Sequence, residues 1–398
     1  MRGAPPLRKH DGGRMPAILT LNAGSSSIKF GVYRTVRGRA GGPEPLAGGQ
    51  VDRLGPEARL ALDGQAERAI EAPDHAAGVS AILDAIRPAI EGREVAGVGH
   101  RVVHGGTVFD APAELTAEVR ERLAELIPLA PLHQPHNLAA VKAAVAAFPG
   151  ALQVGCFDTA FHRGHPFVAD AFALPRRFYG EGVRRYGFHG LSYDYIAGRL
   201  AEERPDLHAG RVVVAHLGNG ASLCALSGGR SVDTTMGFSA LDGMPMGTRC
   251  GQLDPGVMLY LLAKGMEAAE IEAMLYRESG LKGLSGLSHD MRTLLGSDAP
   301  GAEEAVAYYV YRLRREIGAL AAALGGLDAL VFTGGIGENA APIRARALEG
   351  MGWLGLAIDP EANAANARQI GAGAVPVLVI PTDEERVIAR AVQAALSG

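Results

Sequence analysis

The sequence predicts an α/β protein built from two related halves, and two segments carry this prediction. Residues 18–33 read as an apolar strand, a tight polar turn and a second apolar strand. The same pattern returns at residues 211–226, where the turn is Gly-Asn-Gly-Ala-Ser. Strands alternate with amphipathic helices between these segments, which is typical of α/β architecture. We therefore predict a duplicated α/β protein whose ligands bind at strand ends.

The first turn is rich in hydrogen-bonding groups. Asn22 and the hydroxyls of Ser25, Ser26 and Ser27 supply neutral groups, and Lys29 adds a cation. Donors crowded on a turn suit phosphate oxygens. The segment is not a Walker loop, because the chain contains no G-x-x-x-x-G-K-[ST] sequence.

A third turn of this kind follows the apolar strand in residues 329–341, where Gly334 to Gly337 lead into a helix-like stretch. Asn-Gly and Gly-Gly dipeptides can also simply close hairpins. Three such turns, each after an apolar strand, favour phosphate contact over that alternative. The pattern therefore predicts nucleotide in a cleft between the two halves.

Periodicity gives the remaining elements. The predicted helices are residues 76–91, 117–127, 137–147, 193–203, 257–264 and 303–324. The predicted strands are residues 95–103, 152–157 and 375–380, and residues 35–75 read as short edge strands of a mobile surface region. We expect a disordered extension at residues 1–14, an N-terminal domain of residues 15–158 plus 382–398, and a C-terminal nucleotide-binding domain of residues 159–381.

Composition bounds the function. The 398 residues carry a net charge of −4, which gives no reason to expect nucleic acid or an anionic membrane as a partner. No apolar run approaches the ~18 residues of a membrane span. Cys156, Cys224 and Cys250 are far apart and odd in number, which favours reduced thiols in a cytoplasmic protein.

Five charged residues lie where chemistry is expected. Arg101 and Asp158 stand at strand ends, His189 lies in RRYGFHG, Arg249 in a Gly- and Pro-rich loop, and Glu384 just after a strand. Each has a structural alternative: a surface arginine, a helix cap, a core histidine. For Glu384 the alternative is a capping box over residues 382–385, which starts a helix.

Paired histidines raise a different possibility, a zinc hydrolase. The chain has three pairs at close spacing: His100 and His104, His133 and His136, His162 and His165. Zinc prefers such ligands on rigid elements with a third partner. The first pair lies on a strand and its following turn and the others on loops, so helical ligand spacing does not apply.

Nine segments together resemble the acetate kinase family, from about residue 17 to the C-terminus. They are LNAGSSSIKF, GHRVVHGG, LAPLHQPHN, CFDTAFH, RYGFHGLSY, HLGNGAS, DTTMGF with MGTRCG, FTGGIGEN and IPTDEE. Any one of them is a weak signal. Nine in order, at plausible spacing, are highly specific.

The resemblance implies a kinase that forms acetyl phosphate from acetate and ATP. It implies a duplicated actin/sugar-kinase/heat-shock-ATPase-like fold, two domains around a nucleotide cleft, and a homodimer. Magnesium is the implied metal, with manganese as a substitute, and Asn22 and Glu384 match its ligands. The implied catalytic residues are Arg101, Asp158, His189 and Arg249.

The resemblance also implies the ligand-binding residues. Those of the nucleotide are Asn22, Ser25, Ser27, Lys29, His216, Leu217, Gly218, Asn219, Gly220, Asp290, Met291, Arg292, Gly335, Ile336, Gly337, Glu338 and Asn339. Arg101 binds the acid, and the acyl methyl group sits among Val103, Leu132, Phe188 and Ala240.

The chain departs from the family pattern at four positions. Ala240 stands where relatives usually have Pro, which predicts appreciable propionate activity with acetate still preferred. Thr107, His136 and Asp383 replace the usual Glu, Pro and Asn.

The alternatives to an acetate kinase are a propionate kinase and an ATP-driven structural or chaperone protein of the same architecture.

Overall fold

The computed structural model describes residues 15–24, 26–36, 42–90 and 92–397. The expected extension at residues 1–14 and the turn residue Ser25 lie outside this part of the chain. The chain divides into two compact units. Unit 1 comprises the described residues up to Ala160 together with those from Asp383 onward, and unit 2 is Phe161–Thr382.

The sheet of unit 1 has the strand order β5-β4-β3-β2-β1-β6-β8-β7. Strands β1, β6 and β8 run parallel, whereas the hairpin β1-β2 and the strands beyond it are antiparallel. The strands are β1 Ala17–Ala23, β2 Ser27–Arg34, β3 Glu44–Asp52, β4 Arg59–Leu62, β5 Arg68–Ala69, β6 Val95–Val102, β7 Ala113–Glu114 and β8 Leu152–Phe157.

The sheet of unit 2 has the order β11-β10-β9-β12-β13. Its strands are β9 Arg211–Leu217, β10 Ala221–Ser227, β11 Arg230–Thr234, β12 Ala329–Thr333 and β13 Val377–Val379. A hairpin pairs β9 with β10, and β9, β12 and β13 are parallel. This order and sense match β3-β2-β1-β6-β8 of unit 1, so the architecture is duplicated as the two hairpin segments predict.

Helices connect these strands. They are α1 His75–Ile90, α2 Ala117–Ala124, α3 Gln134–Ala147, α4 Phe167–Asp170, α5 Arg176–Gly180, α6 Gly190–Glu203, α7 Pro205–His208, α8 Pro255–Ala263, α9 Ala268–Ala273, α10 Gly280–Ser285, α11 Met291–Leu295, α12 Pro300–Leu324, α13 Gly334–Asn339, α14 Ala341–Leu348, α15 Pro360–Ala364 and α16 Glu384–Ser397. In the described residues no helix combines the length and the apolar character that a membrane crossing needs.

The predicted helices exist, but proline shifts several of their bounds. Helices α3, α8 and α12 begin two or three residues earlier than predicted, each with Pro in its first turn. Proline fits there because the first helical N–H groups have no partner within the helix. Conversely, α2 ends at Ala124, before the 3₁₀ turn Ile127–Leu129 that contains Pro128.

Close packing of α16 on β6 positions the start of that helix. A Cβ atom on Gly99 would lie 2.3 Å from Ile388 Cγ2, and one on Gly97 would lie 2.4 Å from Val392 Cγ1. Both partners are fully buried. Since only glycine leaves room for this contact, these two positions in β6 fix where the first turn of α16, with Glu384, comes to lie.

Candidate active site

In unit 1, three polar side chains of the predicted set meet at the strand ends. Asn22 lies near the end of β1, Arg101 near the end of β6, and Asp158 directly after β8. Because these strands are parallel neighbours, their carboxyl ends meet at one edge of the sheet. The structure therefore brings together residues that lie far apart in the chain.

Arg101 is the centre of this group. Its Nε donates to Asp158 Oδ1 at 3.1 Å and its Nη2 to Oδ2 at 2.5 Å, a two-bond pairing of guanidinium with carboxylate. Its Nη1 donates to Asn22 Oδ1 at 3.3 Å. Arg101 is thus held on two sides, and the alternative of a surface arginine is wrong because its side chain is only 17% exposed.

Burial and charge act in opposite directions on this pair. Burial raises the pKa of the Asp158 carboxyl above its ordinary value, Arg101 lowers it, and negative Glu384 raises it further. Burial alone would lower the pKa of Arg101, but Asp158 and Glu384 together raise it above its usual range. The guanidinium therefore stays charged, and the carboxyl binds a proton more readily than an exposed aspartate does.

The first turn of α16 contributes two more carboxylates. Asn22 Nδ2 donates to Glu384 Oε2 at 3.1 Å and to Glu385 Oε1 at 3.4 Å. The helix is capped by Asp383, whose Oδ1 accepts from the Arg386 N–H at 3.0 Å. The capping box predicted over residues 382–385 is therefore wrong, and Glu384 and Glu385 are available for contacts outside the helix.

Lys29 of the first turn is paired with one of these carboxylates. Its Nζ donates to Glu385 Oε2 at 2.8 Å. Burial lowers the pKa of Lys29, but Glu385 more than compensates, so the pKa is raised. Sequence reasoning missed this role of Glu385, because a glutamate in a first helical turn is also what the helix dipole favours. Ser27 begins β2, and its carbonyl accepts from Gly24 N–H at 2.8 Å to close the turn.

An unusual pair of histidines supports the same turn. His75 Nε2 lies 2.7 Å from the Gly24 carbonyl oxygen. Its ring stacks on that of His136, one of the departures from the family pattern, with centroids 4.9 Å apart. Burial, together with the neighbouring His75, lowers the pKa of His136. The stack therefore ties α1 and α3 to the first turn.

The four residues predicted around the acyl group belong to both units. Val103 and Leu132 lie in unit 1, and Phe188 and Ala240 in unit 2. Val103 is buried, and its N–H donates to Asn137 Oδ1 at 2.9 Å. Phe188 is buried as well, whereas Leu132 and Ala240 are half-buried.

In unit 2, His189 and His216 form a stacked pair. His216 is the second-last residue of β9, and His189 precedes α6 in a left-handed conformation with φ +57°. Their ring centroids are 4.3 Å apart. His189 Nδ1 lies 2.8 Å from Ser222 Oγ, and His216 Nδ1 lies 2.8 Å from Ser192 Oγ. Sequence reasoning missed both serines, because each reads as a small residue within a buried helix or strand.

Arg249 lies against the second hairpin turn. Its Nη1 donates to the Ala240 carbonyl at 2.9 Å. A Cβ atom on Gly220 would lie 2.9 Å from Arg249 Nη2 and 3.2 Å from His189 Nε2. The space that Gly220 leaves open is therefore bordered by a guanidinium and an imidazole, two groups that can donate hydrogen bonds to an anion.

A cavity of about 510 Å³ joins three predicted nucleotide segments. It is lined by residues of the second hairpin turn, of the α11 segment and of α13, among them Gly218, Asn219, Asp290, Met291, Arg292, Gly335, Ile336 and Asn339. This volume lies within the range of small-molecule sites in proteins. Leu217 and Gly337 are buried behind these segments.

Local hydrogen bonds fix two of these segments. Asp290 caps α11 by accepting from Arg292 N–H at 2.8 Å, and it also pairs with the Arg292 guanidinium at 2.6 Å. In α13, Glu338 Oε1 accepts from the N–H groups of Gly334 at 2.9 Å and Thr382 at 3.2 Å. The predicted turn at Gly334 to Gly337 is therefore the first turn of a helix.

Two of the three histidine pairs lie within hydrogen-bonding distance of other protein groups. His100 Nε2 lies 2.8 Å from Gln153 Oε1, and the N–H of Gly106 donates to His104 Nδ1 at 2.9 Å. His162 and His165 both contact Ser231 Oγ. Within the described residues, no three His, Cys, Asp or Glu side chains gather as metal ligands. The pairs therefore give the zinc alternative no support.

Two sheets of the same order, each opening on a hairpin whose turn lies among polar side chains, define the actin/sugar-kinase/heat-shock-ATPase class of α/β protein. The crystal structure of Porphyromonas gingivalis acetate kinase matches the fold with a TM-score of 0.83 at 39% identity, covering 94% of this chain and 98% of that chain. A propionate kinase from Francisella tularensis matches with a TM-score of 0.87 at 33% identity, covering 95% and 99%. The predicted fold class is confirmed.

The chain belongs to the acetokinase family, whose model matches residues 17–390. An acetate kinase of Methylocella silvestris is 57% identical over 94% of this chain and 96% of its own length. An acetate kinase from Rhodopseudomonas palustris is 52% identical over 94% of this chain and 96% of its own length. The resemblance inferred from nine sequence segments is therefore confirmed.

Proposed function

We propose that this member of the acetokinase family transfers the γ-phosphoryl group of ATP to acetate, giving acetyl phosphate and ADP in a reversible reaction. The observation that carries the proposal is the Arg101–Asp158 pair at the strand ends of unit 1. It holds a guanidinium in one orientation, and guanidinium groups bind small carboxylates and phosphates in fixed geometry. Family membership supports the same reaction.

The chemistry needs no general base. An acetate oxygen attacks the γ-phosphorus, the bond from phosphorus to the bridging oxygen breaks, and its electron pair leaves with ADP. Acetate is already ionised at pH 7, since its pKa is about 4–5, like that of Asp or Glu. The barrier is instead repulsion between two anions. Positioning and electrostatic stabilisation lower such a barrier.

Two arginines and one histidine supply that stabilisation in the proposal. Asp158 orients Arg101, and the Ala240 carbonyl orients Arg249, before any substrate binds. Preorganised donors of this kind require little rearrangement during the reaction. His189, held at Nδ1 by Ser222, donates from Nε2 to the equatorial oxygens of the transferring phosphoryl group. None of these groups takes a proton from acetate.

Magnesium fits the acidic end of unit 1. The oxygen atoms of Asn22, Asp158 and Glu384 would hold it, directly or through water, and Mg²⁺ prefers oxygen ligands while keeping several waters. Glu384 also raises the pKa of Asp158, and the negative charge gathered there favours a cation. When bound, Mg²⁺ or Mn²⁺ neutralises charge on the nucleotide phosphates.

The nucleotide base and sugar belong in the 510 Å³ cavity of unit 2. Met291, Leu295, Ile336 and Pro342 give it apolar walls, and Asn219 and Asn339 add polar groups. The cavity thus combines an apolar surface for a planar base with a few polar contacts, as small-molecule sites commonly do. Ser27 and Lys29 of the first turn are assigned to phosphate contacts, and Glu338 fixes α13.

Propionate is the second acid that the chain accepts in this proposal. Ala240 is smaller than the proline usual in relatives, and burying one extra methylene contributes up to ~0.8 kcal/mol. A propionate kinase is also among the structural matches to this chain. We expect acetate to be preferred. A propionate kcat/KM about a thousandfold or more below that of acetate would contradict this.

An exposed apolar helix supports a homodimer. In α8, Leu259 is 68% exposed and Tyr260 is 59% exposed, and in α12 Tyr311 is 58% exposed. Large apolar side chains exposed in this way occur at interaction sites, and a second copy of the chain is the proposed partner. Sedimentation velocity of Leu259→Asp should give a smaller species than the wild type.

Cytoplasmic location stays a prediction.

The reaction is tested by trapping acyl phosphate with hydroxylamine in the presence of ATP and Mg²⁺. Acetate, propionate and butyrate are run in parallel, with a magnesium-free control. We expect magnesium-dependent hydroxamate, largest with acetate. A larger signal with propionate would indicate a propionate kinase. No hydroxamate from any acid, in protein that still binds ATP, would refute the proposal.

A further inference from the structure

A chain of hydrogen bonds in unit 2 runs from His165 to the backbone beside His189. His165 Nε2 lies 2.7 Å from Ser231 Oγ, and the same oxygen lies 2.7 Å from His162 Nδ1. His162 Nε2 lies 2.9 Å from the Phe188 carbonyl oxygen. His162 is fully buried, and Ser231 nearly so. None of these three side chains has a role in the proposed reaction.

The direction of donation along this series of hydrogen bonds follows from which atoms can donate and which can accept. A carbonyl only accepts, so His162 Nε2 carries a proton and Nδ1 of the neutral ring accepts. Ser231 therefore donates its hydroxyl proton to His162. Since serine has one such proton, His165 Nε2 donates to Ser231. The chain thus leads from His165 through Ser231 and His162 to Phe188.

Burial keeps both rings neutral. It lowers the pKa of His162 to about 3, with further lowering by His165 and Arg163. It lowers the pKa of His165 to about 4, where Asp170 acts in the opposite direction and Arg163 adds to the lowering. Near neutral pH neither ring carries a second proton, so the direction of donation along the hydrogen bonds is fixed.

The last hydrogen bond of the series is made to a backbone segment whose conformation few residues adopt. Phe188 precedes His189, whose φ of +57° is in the left-handed region that residues other than glycine disfavour. Gly187 also has positive φ, at +73°, and a Cβ there would lie 2.6 Å from His162 Cδ2. The His162 ring therefore packs on one residue of this turn and hydrogen-bonds the next.

We propose that His162 is a positioning residue for the proposed phosphoryl transfer. It holds the Phe188–His189 peptide so that the His189 ring keeps its orientation, and Ser231 fixes the His162 tautomer that can do so. His189 is thereby held at both ends, by Ser222 at its ring and by His162 at its backbone. The inference rests on the proposed function of His189.

Two substitutions separate the two nitrogens of His162. In His162→Gln the amide nitrogen reaches the Nε2 position and can donate to Phe188, whereas in His162→Asn it reaches only the Nδ1 position. We expect His162→Asn to lower kcat about 100-fold, the cost of a misplacement near 1 Å, with KM for ATP little changed. His162→Gln should retain at least about a tenth of wild-type kcat.

The control is His208→Asn, because His208 is a histidine of the same unit that contacts the Ala197 carbonyl. It should retain wild-type activity. Equal losses in the Gln and Asn variants of His162, or an effect on KM alone, would overturn the proposal, as would full activity of His162→Asn. Such results would leave His162 as a packing residue.

A second measurement does not depend on activity. Histidine ¹⁵N labelling of the full chain reports the tautomer of each ring by NMR. We expect His162 to carry its proton on Nε2 from about pH 7 to about pH 5 without titrating. A proton on Nδ1, or titration near the ordinary histidine pKa, would overturn the inference. If the wild type forms no acyl phosphate, the proposed function fails while this spectrum still decides the hydrogen-bond chain.

Discussion

The two units share a strand order but differ in the chemistry at their hairpin ends. In unit 1 the groups are ionised and pair with one another, as Arg101 with Asp158 and Lys29 with Glu385. In unit 2 the stacked imidazoles contact serine hydroxyls, and Arg249 is held by a backbone carbonyl. Duplication of a fold therefore did not duplicate its chemistry. The side chains after the strands, rather than the strands, give unit 1 its ion pairs and give unit 2 a histidine pair and an arginine held by uncharged groups.

The largest expected effect comes from the charged end of unit 1. Asp158→Asn should lower kcat about 1000-fold, because Arg101 loses its ionic partner and the proposed metal site loses a carboxylate. The residual kcat should respond to the concentration of Mg²⁺ or Mn²⁺. Steady-state kinetics over a range of metal concentrations measures both.

Asp328→Asn is the matched control for this substitution, since Asp328 pairs with Arg211 at a half-exposed position in unit 2. It should retain wild-type kcat. If the loss in Asp158→Asn is insensitive to metal and metal affinity is unchanged, Asp158 does not belong to the metal's shell.

A substitution at the hairpin end of unit 2 should lower kcat by a smaller factor. Gly220→Ala places a methyl group 2.9 Å from Arg249 Nη2 and 3.2 Å from His189 Nε2. We expect kcat to fall about 300-fold, within the range for displacing a positioned donor. Gly318→Ala in α12 is the control, because a Cβ there meets nothing within 4 Å. Wild-type kcat in Gly220→Ala would show that neither group faces the reaction.

The next prediction concerns His100 of unit 1, a buried histidine that stays neutral and makes stability depend on pH. Burial lowers the pKa of His100 to about 4 from its ordinary 6.5. Below pH 6.5 the unfolded chain binds a proton that the folded chain does not, so stability falls as pH drops towards 4. The loss is about 3 kcal/mol, complete only below the folded pKa.

His100→Gln should remove that part of the pH dependence, because a glutamine amide can still donate to Gln153 and does not titrate. Urea unfolding at several pH values measures the free energy of unfolding. A slope between pH 6.5 and 4 that is identical in both proteins would show that His100 is not the source.

The smallest effect concerns the acyl pocket. Ala240→Pro should lower the ratio of propionate to acetate kcat/KM about fourfold, the value of one buried methylene. Arg249 bonds the carbonyl of this residue, which proline retains, so acetate activity should persist. An unchanged ratio would mean that residue 240 does not line the pocket.

The sequence predicted the duplicated hairpins because each has an apolar strand on both sides of a polar turn. It also placed Arg101 and Asp158 at strand ends, where the structure has them. It could not predict Lys29–Glu385 or the serines behind the histidines, because such contacts join residues far apart in the chain. It misplaced helix starts at prolines, since apolar periodicity begins only after the first turn.

The division between the units is tested most directly by calorimetric binding of ADP without metal. The account predicts that Asp158→Asn and Arg101→Ala in unit 1 bind ADP within about threefold of the wild type, whereas Gly335→Val in the cavity of unit 2 binds it at least about tenfold more weakly. Equal weakening by substitutions in both units would contradict the assignment of the nucleotide base and sugar to unit 2.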